Sequence, residues 1–255
     1  MIGQLLALAD WHRRAGRPID AEELCRRALA LAGSDDTAMA AVLRALGMAL
    51  EDQSRHGEAA ACHRALLVLA PGDADGWCDL GMALRRMGRA DAAVAAYRRA
   101  LALEADFVEA WFNLGNALTG LGRSDAAIPA YRRALRERGD DPRIWCNLGN
   151  ALHERGLIAE AAAAAATALT LRPDHAPALI NLGNALTEQG RFEDAVRLFR
   201  RAAILQPSDA AAPTGAGMAL RQQGRVEEAT ESFRQAHRLS GDAGLEVKMA
   251  LALPI

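Results

Sequence analysis

A glycine recurs every 34 residues along this chain of 255, at Gly47, Gly81, Gly115, Gly149, Gly183 and Gly217. Whole stretches travel with it. The segment Trp145-Cys146-Asn147-Leu148-Gly149-Asn150-Ala151-Leu152 has near-copies at 111–118 and 179–186. A fixed period of this length marks a chain built from stacked copies of one small unit, each too small to bury its apolar face without its neighbours. Size imposes no limit on such an array, whereas a single core of 255 residues would stand near the upper bound for one domain.

The unit can be read by numbering it so that the glycine is position 8. Position 4 is then large (Leu43, Trp77, Trp111, Trp145, Leu179), position 7 is mostly Leu, and position 11 is Leu from Leu50 to Leu220. At 100° per residue, positions 4, 7, 8 and 11 share one face of a helix, here helix A. Position 15 is glycine in five units (Gly88, Gly122, Gly156, Gly190, Gly224), which ends that helix with a residue free to take positive φ. Helix B follows. It has Ala at position 20 (Ala59, Ala93, Ala127, Ala161, Ala195, Ala229), an aromatic at position 24 (Tyr97, Tyr131, Phe199, Phe233) and usually Ala at position 27. A glycine inside a helix costs about 1 kcal/mol against alanine, so six need a packing reason, and close approach of helices A and B supplies one. Ala and Leu dominate, aromatics are 4%, and no segment reads as a strand.

With Pro71, Pro173 and Pro207 at position 32, these positions resemble the tetratricopeptide repeat, whose pattern is Trp-x2-Leu-Gly-x2-Tyr followed by Ala, an aromatic, Ala and Pro. The resemblance covers nearly the whole chain. It implies an all-α solenoid: antiparallel helix pairs stacked in a right-handed superhelix, with helix A lining the concave surface. Seven repeats are expected, at 2–35, 40–73, 74–107, 108–141, 142–175, 176–209 and 210–243, forming a single array. The first is degenerate, with Ala9 in the glycine position. Residues 244–255 are expected to form a capping helix through Leu245, Met249 and Leu253, the alternative being that the chain is cut from a longer protein. Pro129 should kink its helix or sit in its first turns. Ala165, in the place of the aromatic, should either draw the helices together or leave a depression.

Thirty basic and 32 acidic residues nearly cancel, so no electrostatic footprint for nucleic acid or an anionic membrane is expected, and protein partners are. Lys248 is the only lysine. The apolar run at the N-terminus is followed rather than preceded by Arg13 and Arg14, the wrong order for a signal peptide, and no run is long enough to span a bilayer. A cytoplasmic protein is expected. Cys25, Cys62, Cys78 and Cys146 form no CxxC pair and read as reduced thiols. The six histidines show no zinc-hydrolase spacing, and the glycine-rich stretches lie within helix pairs, not between strand and helix. Neither an enzymatic role nor a cofactor or metal is expected.

The remaining candidate is the helix A face turned away from helix B. Positions 6 and 9 lie there, and three consecutive repeats have asparagine at both: Asn113 and Asn116, Asn147 and Asn150, Asn181 and Asn184, with Asp79 continuing the line. Six interior asparagines cost about 4 kcal/mol in helix propensity. An exposed amide suits the backbone of an extended peptide, since it both donates and accepts. The arrangement resembles the asparagine ladder in the repeat region of protein O-GlcNAc transferases, which implies a surface that holds a substrate or adaptor segment. A chance product of internal duplication stays open beside it. The clamp that binds C-terminal carboxylates needs basic residues where Phe112, Cys146, Pro177 and Ile180 stand, and is rejected. Three readings follow: a peptide-binding scaffold, the targeting region of an O-GlcNAc-type glycosyltransferase, and a self-assembling solenoid that forms homo-oligomers.

Overall fold

A computed structural model describes residues 1–241, which contain fourteen α-helices and no strand. In chain order these are α1 Ile2–Arg14, α2 Pro18–Ala32, α3 Asp36–Asp52, α4 His56–Leu69, α5 Ala74–Arg86, α6 Ala90–Leu103, α7 Val108–Gly120, α8 Ser124–Glu137, α9 Pro142–Glu154, α10 Ile158–Leu171, α11 Ala176–Glu188, α12 Phe192–Leu205, α13 Ala211–Gln222 and α14 Val226–Ser240. Each expected repeat thus holds one helix pair. The capping helix expected over 244–255 lies outside the described residues.

The chain divides into two compact units, Met1–Glu137 and Arg138–Ile255. The first contains α1 to α8 and the second α9 to α14. Within each unit every A helix packs on the B helix that follows it, and every B helix packs on the next A helix. Leucine at position 11 and alanine at position 20 are buried in all six complete repeats, as the helical period requires.

The repeated glycine has a specific partner. A Cβ on Gly81 or Gly115 would stand 2.5 Å from the ring of Tyr97 or Tyr131, and one on Gly183 or Gly217 would stand 2.8 or 2.7 Å from Phe199 or Phe233. The position-24 ring therefore lies against the position-8 backbone in these repeats, at a distance that leaves no room for a methyl group. In the fifth repeat Ala165 replaces the ring, and the atoms nearest the same point on Gly149 are the Ala161 carbonyl oxygen at 3.3 Å and the Ala165 nitrogen at 3.5 Å, at the edge of ordinary contact. In the second repeat the slot holds His63, whose ring would be 2.5 Å from a Cβ on Gly47.

Helix ends follow local chemistry. The Asp35 carboxylate accepts from the N–H groups of Thr37 and Ala38, Asp73 from Gly76, and Asp141 from Arg143, each satisfying N-terminal donors. At the other end the position-15 glycines take φ of 69 to 75°, and the next residue donates back to the position-11 carbonyl, as in Arg89 to Leu84 and Arg123 to Leu118, both at 2.9 Å. Ser54 fills position 15 of the second repeat and holds φ at 60°, the one non-glycine residue with positive φ among the described residues. Pro129 is the sixth residue of α8, which runs on to Glu137 with the proline ring exposed. The tryptophans tie each repeat to the loop before it: the indole N–H groups of Trp77, Trp111 and Trp145 donate to the carbonyls of Pro71, Ala105 and Gly139.

His63 is 1% exposed and neither ring nitrogen has a hydrogen-bond partner. Burial, helped by Arg44 and opposed by Asp73, brings its pKa down to about 4. A folded-state pKa below the unfolded one means that the fold disfavours the proton. Stability is then complete above about pH 6.5 and falls as pH drops toward 4, by about 3 kcal/mol for this group. His63→Phe, which copies the ring of the sixth and seventh repeats, should raise the melting temperature and flatten the acid limb of a stability-versus-pH curve; an unchanged acid limb would contradict this. For Ser54→Gly, relief of the left-handed strain should give about 1 kcal/mol in a urea melt.

Candidate functional site

The helix A face opposite the helix B contact does not stand wholly free. In a stack, an A helix also meets the A helix before it, as α5–α7 and α9–α11 do, and position 6 turns toward that neighbour. In the second unit the Asn181 Nδ2 donates to the Cys146 carbonyl at 3.1 Å and approaches its sulfur at 3.4 Å. In the first unit Asn113 Nδ2 stands 3.9 Å from the Cys78 sulfur. Both partners are at position 5 of the preceding repeat. Position 6 asparagines thus join successive A helices, a contact that a period of 3.6 within one helix cannot reveal.

Position 9 is placed differently. In the first unit the Tyr131 hydroxyl donates to Asn116 Oδ1 at 2.9 Å and lies 3.3 Å from the Thr119 hydroxyl, so the ring in the position-24 slot orients the amide above it. In the second unit Asn150 is exposed and donates to Glu154 at 3.1 Å. Asn184 is half-buried, and among the described residues its amide makes no hydrogen bond. Asn147 is half-buried at position 6. The structure places Asp79, Asn113 and Asn116 on A helices of the first unit, and Asn147, Asn150, Asn181 and Asn184 on A helices of the second.

Around Asp79 the first unit gathers charges that the asparagine pattern did not single out. The Arg44 guanidinium is held by Asp73 and lies 3.8 Å from Asp75. Glu51 holds His56 at 3.1 Å and Arg86 at 3.6 Å through one oxygen. Burial, with Asp75, Asp73 and Glu51 adding to it and Arg44 opposing, pushes the Asp79 carboxyl up to about 6. The signal for this group lay in the helix A positions next to 6: Arg44 at position 5, Glu51 at position 12, Asp75 at position 2.

All four cysteines are free. Burial pushes the Cys25 and Cys146 thiols up to about 11 and Cys78 to about 12, far from the thiolate that nucleophilic chemistry needs. Among the described residues no group of three His, Cys, Asp or Glu side chains is placed to hold a metal ion, and no helix is long and apolar enough to cross a membrane.

Sequence models of the tetratricopeptide repeat match residues 2–70, 78–142, 116–176 and 180–243. No curated protein matches the chain. Among solved structures, YrrB, described as a tetratricopeptide repeat protein with an unusual peptide-binding site, aligns with 76% of this chain and 100% of its own at 22% identity and a TM-score of 0.61. PilF of Pseudomonas aeruginosa aligns with 86% of this chain and 99% of its own at 17% identity and 0.74. The APC/C hetero-tetramer Cut9-Hcn1 aligns with 98% of this chain at 17% identity and 0.74, this chain spanning 55% of that one. At these identities the likeness is one of fold.

Proposed function

The chain belongs to the tetratricopeptide repeat family, and on that premise we propose that it is a protein-interaction scaffold whose helix A faces hold an extended segment of a partner protein. The observation that carries this reading is Asn184. It keeps a helix-disfavoured amide on the A face of the second unit, half-buried, with no internal hydrogen bond to account for it. An amide so placed offers both a donor and an acceptor to a peptide backbone. Asn147, Asn150 and Asn181 surround it on the neighbouring A helix positions, and Asp79, Asn113 and Asn116 form the corresponding group in the first unit. The peptide-binding site of YrrB, on the same fold, supports the reading. Its place of action, on this proposal, is the cytoplasm. If the chain is the repeat region of an O-GlcNAc-type transferase, the same face would hold the substrate segment for a catalytic domain elsewhere.

The two asparagine positions make different predictions. Asn184→Ala should leave the melting temperature unchanged or slightly raised, while weakening a bound peptide by about 0.5 to 1.5 kcal/mol. Asn181→Ala should lower the melting temperature as well, since it also removes the bond to Cys146. Calorimetric titration of a partner peptide, with melts of both variants, checks this. Unchanged peptide affinity in Asn184→Ala would assign the asparagines to duplication alone.

A further inference from the structure

Within the first unit, α6 and α8 both pack on α7, and between these two B helices lies a groove of about 390 Å³. Buried Leu101, Leu114 and Leu118 form its floor, and half-buried Trp111 and exposed Pro129 form its walls. The Trp111 wall is held in place by its indole N–H, which donates to the Ala105 carbonyl at 2.7 Å. From α7 the groove takes positions 4, 7 and 11, whereas Asn113 and Asn116 at positions 6 and 9 do not line it, so it is a separate surface from the A face. Its volume and largely apolar lining are those of a ligand pocket.

Two observations bear on what the groove holds. Arg98 is the one charged side chain that lines it, exposed and without a hydrogen bond or ion pair among the described residues. Asp91 on the same helix and Asp106 in the loop after it are engaged by Arg123 and Arg133 instead. Pro129 is the sixth residue of α8, a place where a helix uses its N–H and proline is strongly disfavoured. Its ring fills no core position and stands exposed on the groove wall. An apolar pocket with a free guanidinium at its rim fits an apolar side chain whose neighbour carries a carboxylate: burial supplies the affinity, and the charge sets orientation and rejects basic segments. A nucleic acid fits less well, because a single cation stands over an otherwise uncharged lining. Independently of the A-face reading, we propose that the groove between α6 and α8 docks an acidic segment of a partner protein, with one apolar side chain seated between Trp111 and Pro129 and an adjacent Asp or Glu paired with Arg98.

The test is selection of random peptides displayed on phage. The library is first depleted on the full chain carrying Arg98→Glu and Ala126→Trp, which reverses the rim charge and fills the groove from an exposed position, and is then selected on the wild type. Both substituted residues are exposed, so the double variant should melt as the wild type does; if the tryptophan lowers the melt, depletion on Arg98→Glu alone takes its place. The selected peptides should carry Asp or Glu beside a large apolar residue. By fluorescence anisotropy, one of them should lose about two- to fivefold in affinity on Arg98→Glu and recover it there when its acidic residue is replaced by lysine. On Ala126→Trp the loss should be at least about tenfold, and on Asn184→Ala there should be none. No phage left after depletion, selected peptides without an acidic residue, or failure of the lysine peptide to recover affinity on Arg98→Glu would overturn the proposal. Each of these outcomes leaves the asparagine reading standing, because peptides held by the A face are removed with the depleted fraction.

Discussion

The structure depends on one contact repeated along the chain: the side chain at position 24 of helix B lying on the bare backbone at position 8 of helix A. A ring over Gly81, Gly115, Gly183 or Gly217 fixes the distance between the two helices of a pair more tightly than leucine packing alone, because the next atom in either direction would clash. The helix-propensity loss at the glycine is offset by full burial of an aromatic side chain. Where the ring is missing, at Ala165, the helix B backbone and the small side chain of Ala164 are what lie nearest the glycine. Where the ring is polar, at His63, the geometry is kept at the cost of two unpaired ring nitrogens, and that cost deepens in acid.

Once the pair is set, the remaining features are ways of repeating it. The left-handed residue at position 15 reverses the chain within three residues, and the tryptophan N–H at position 4 fastens the following pair to the loop. Asparagine at position 6 reaches the preceding A helix. Because stacking uses these faces, the positions left over for a partner are few, and Asn184 is one of them.

Period, the glycine stop and the class of fold were legible from residue spacing, because each is a local rule repeated often enough to stand out, whereas α3 begins at Asp36, four residues before its expected repeat. Exceptions were harder to read. His63 and Ser54 occupy positions 24 and 15 of their repeat, yet neither looks like the residue it replaces, and only the 34-residue offset identifies their roles. The asparagine line was legible as a pattern, but its division into a stacking position and a free position was not, since a single helix contains no information about the neighbour two helices away. The charged group around Asp79 is assembled from α3, α4, α5 and the loop before α5, which only the folded chain brings together.

A double-mutant cycle on Gly115 and Tyr131 tests the central contact most directly. The ring stands where a Gly115 methyl group would go, so Gly115→Ala alone should cost about 1 to 3 kcal/mol in a urea melt. With Tyr131→Ala in place, which recreates the arrangement of the fifth repeat, the same change should cost nothing or stabilise by up to about 1 kcal/mol, giving a coupling of more than about 1 kcal/mol. Additive effects of the two substitutions would contradict the account, since they would mean that the glycine recurs for some reason other than the ring that lies on it.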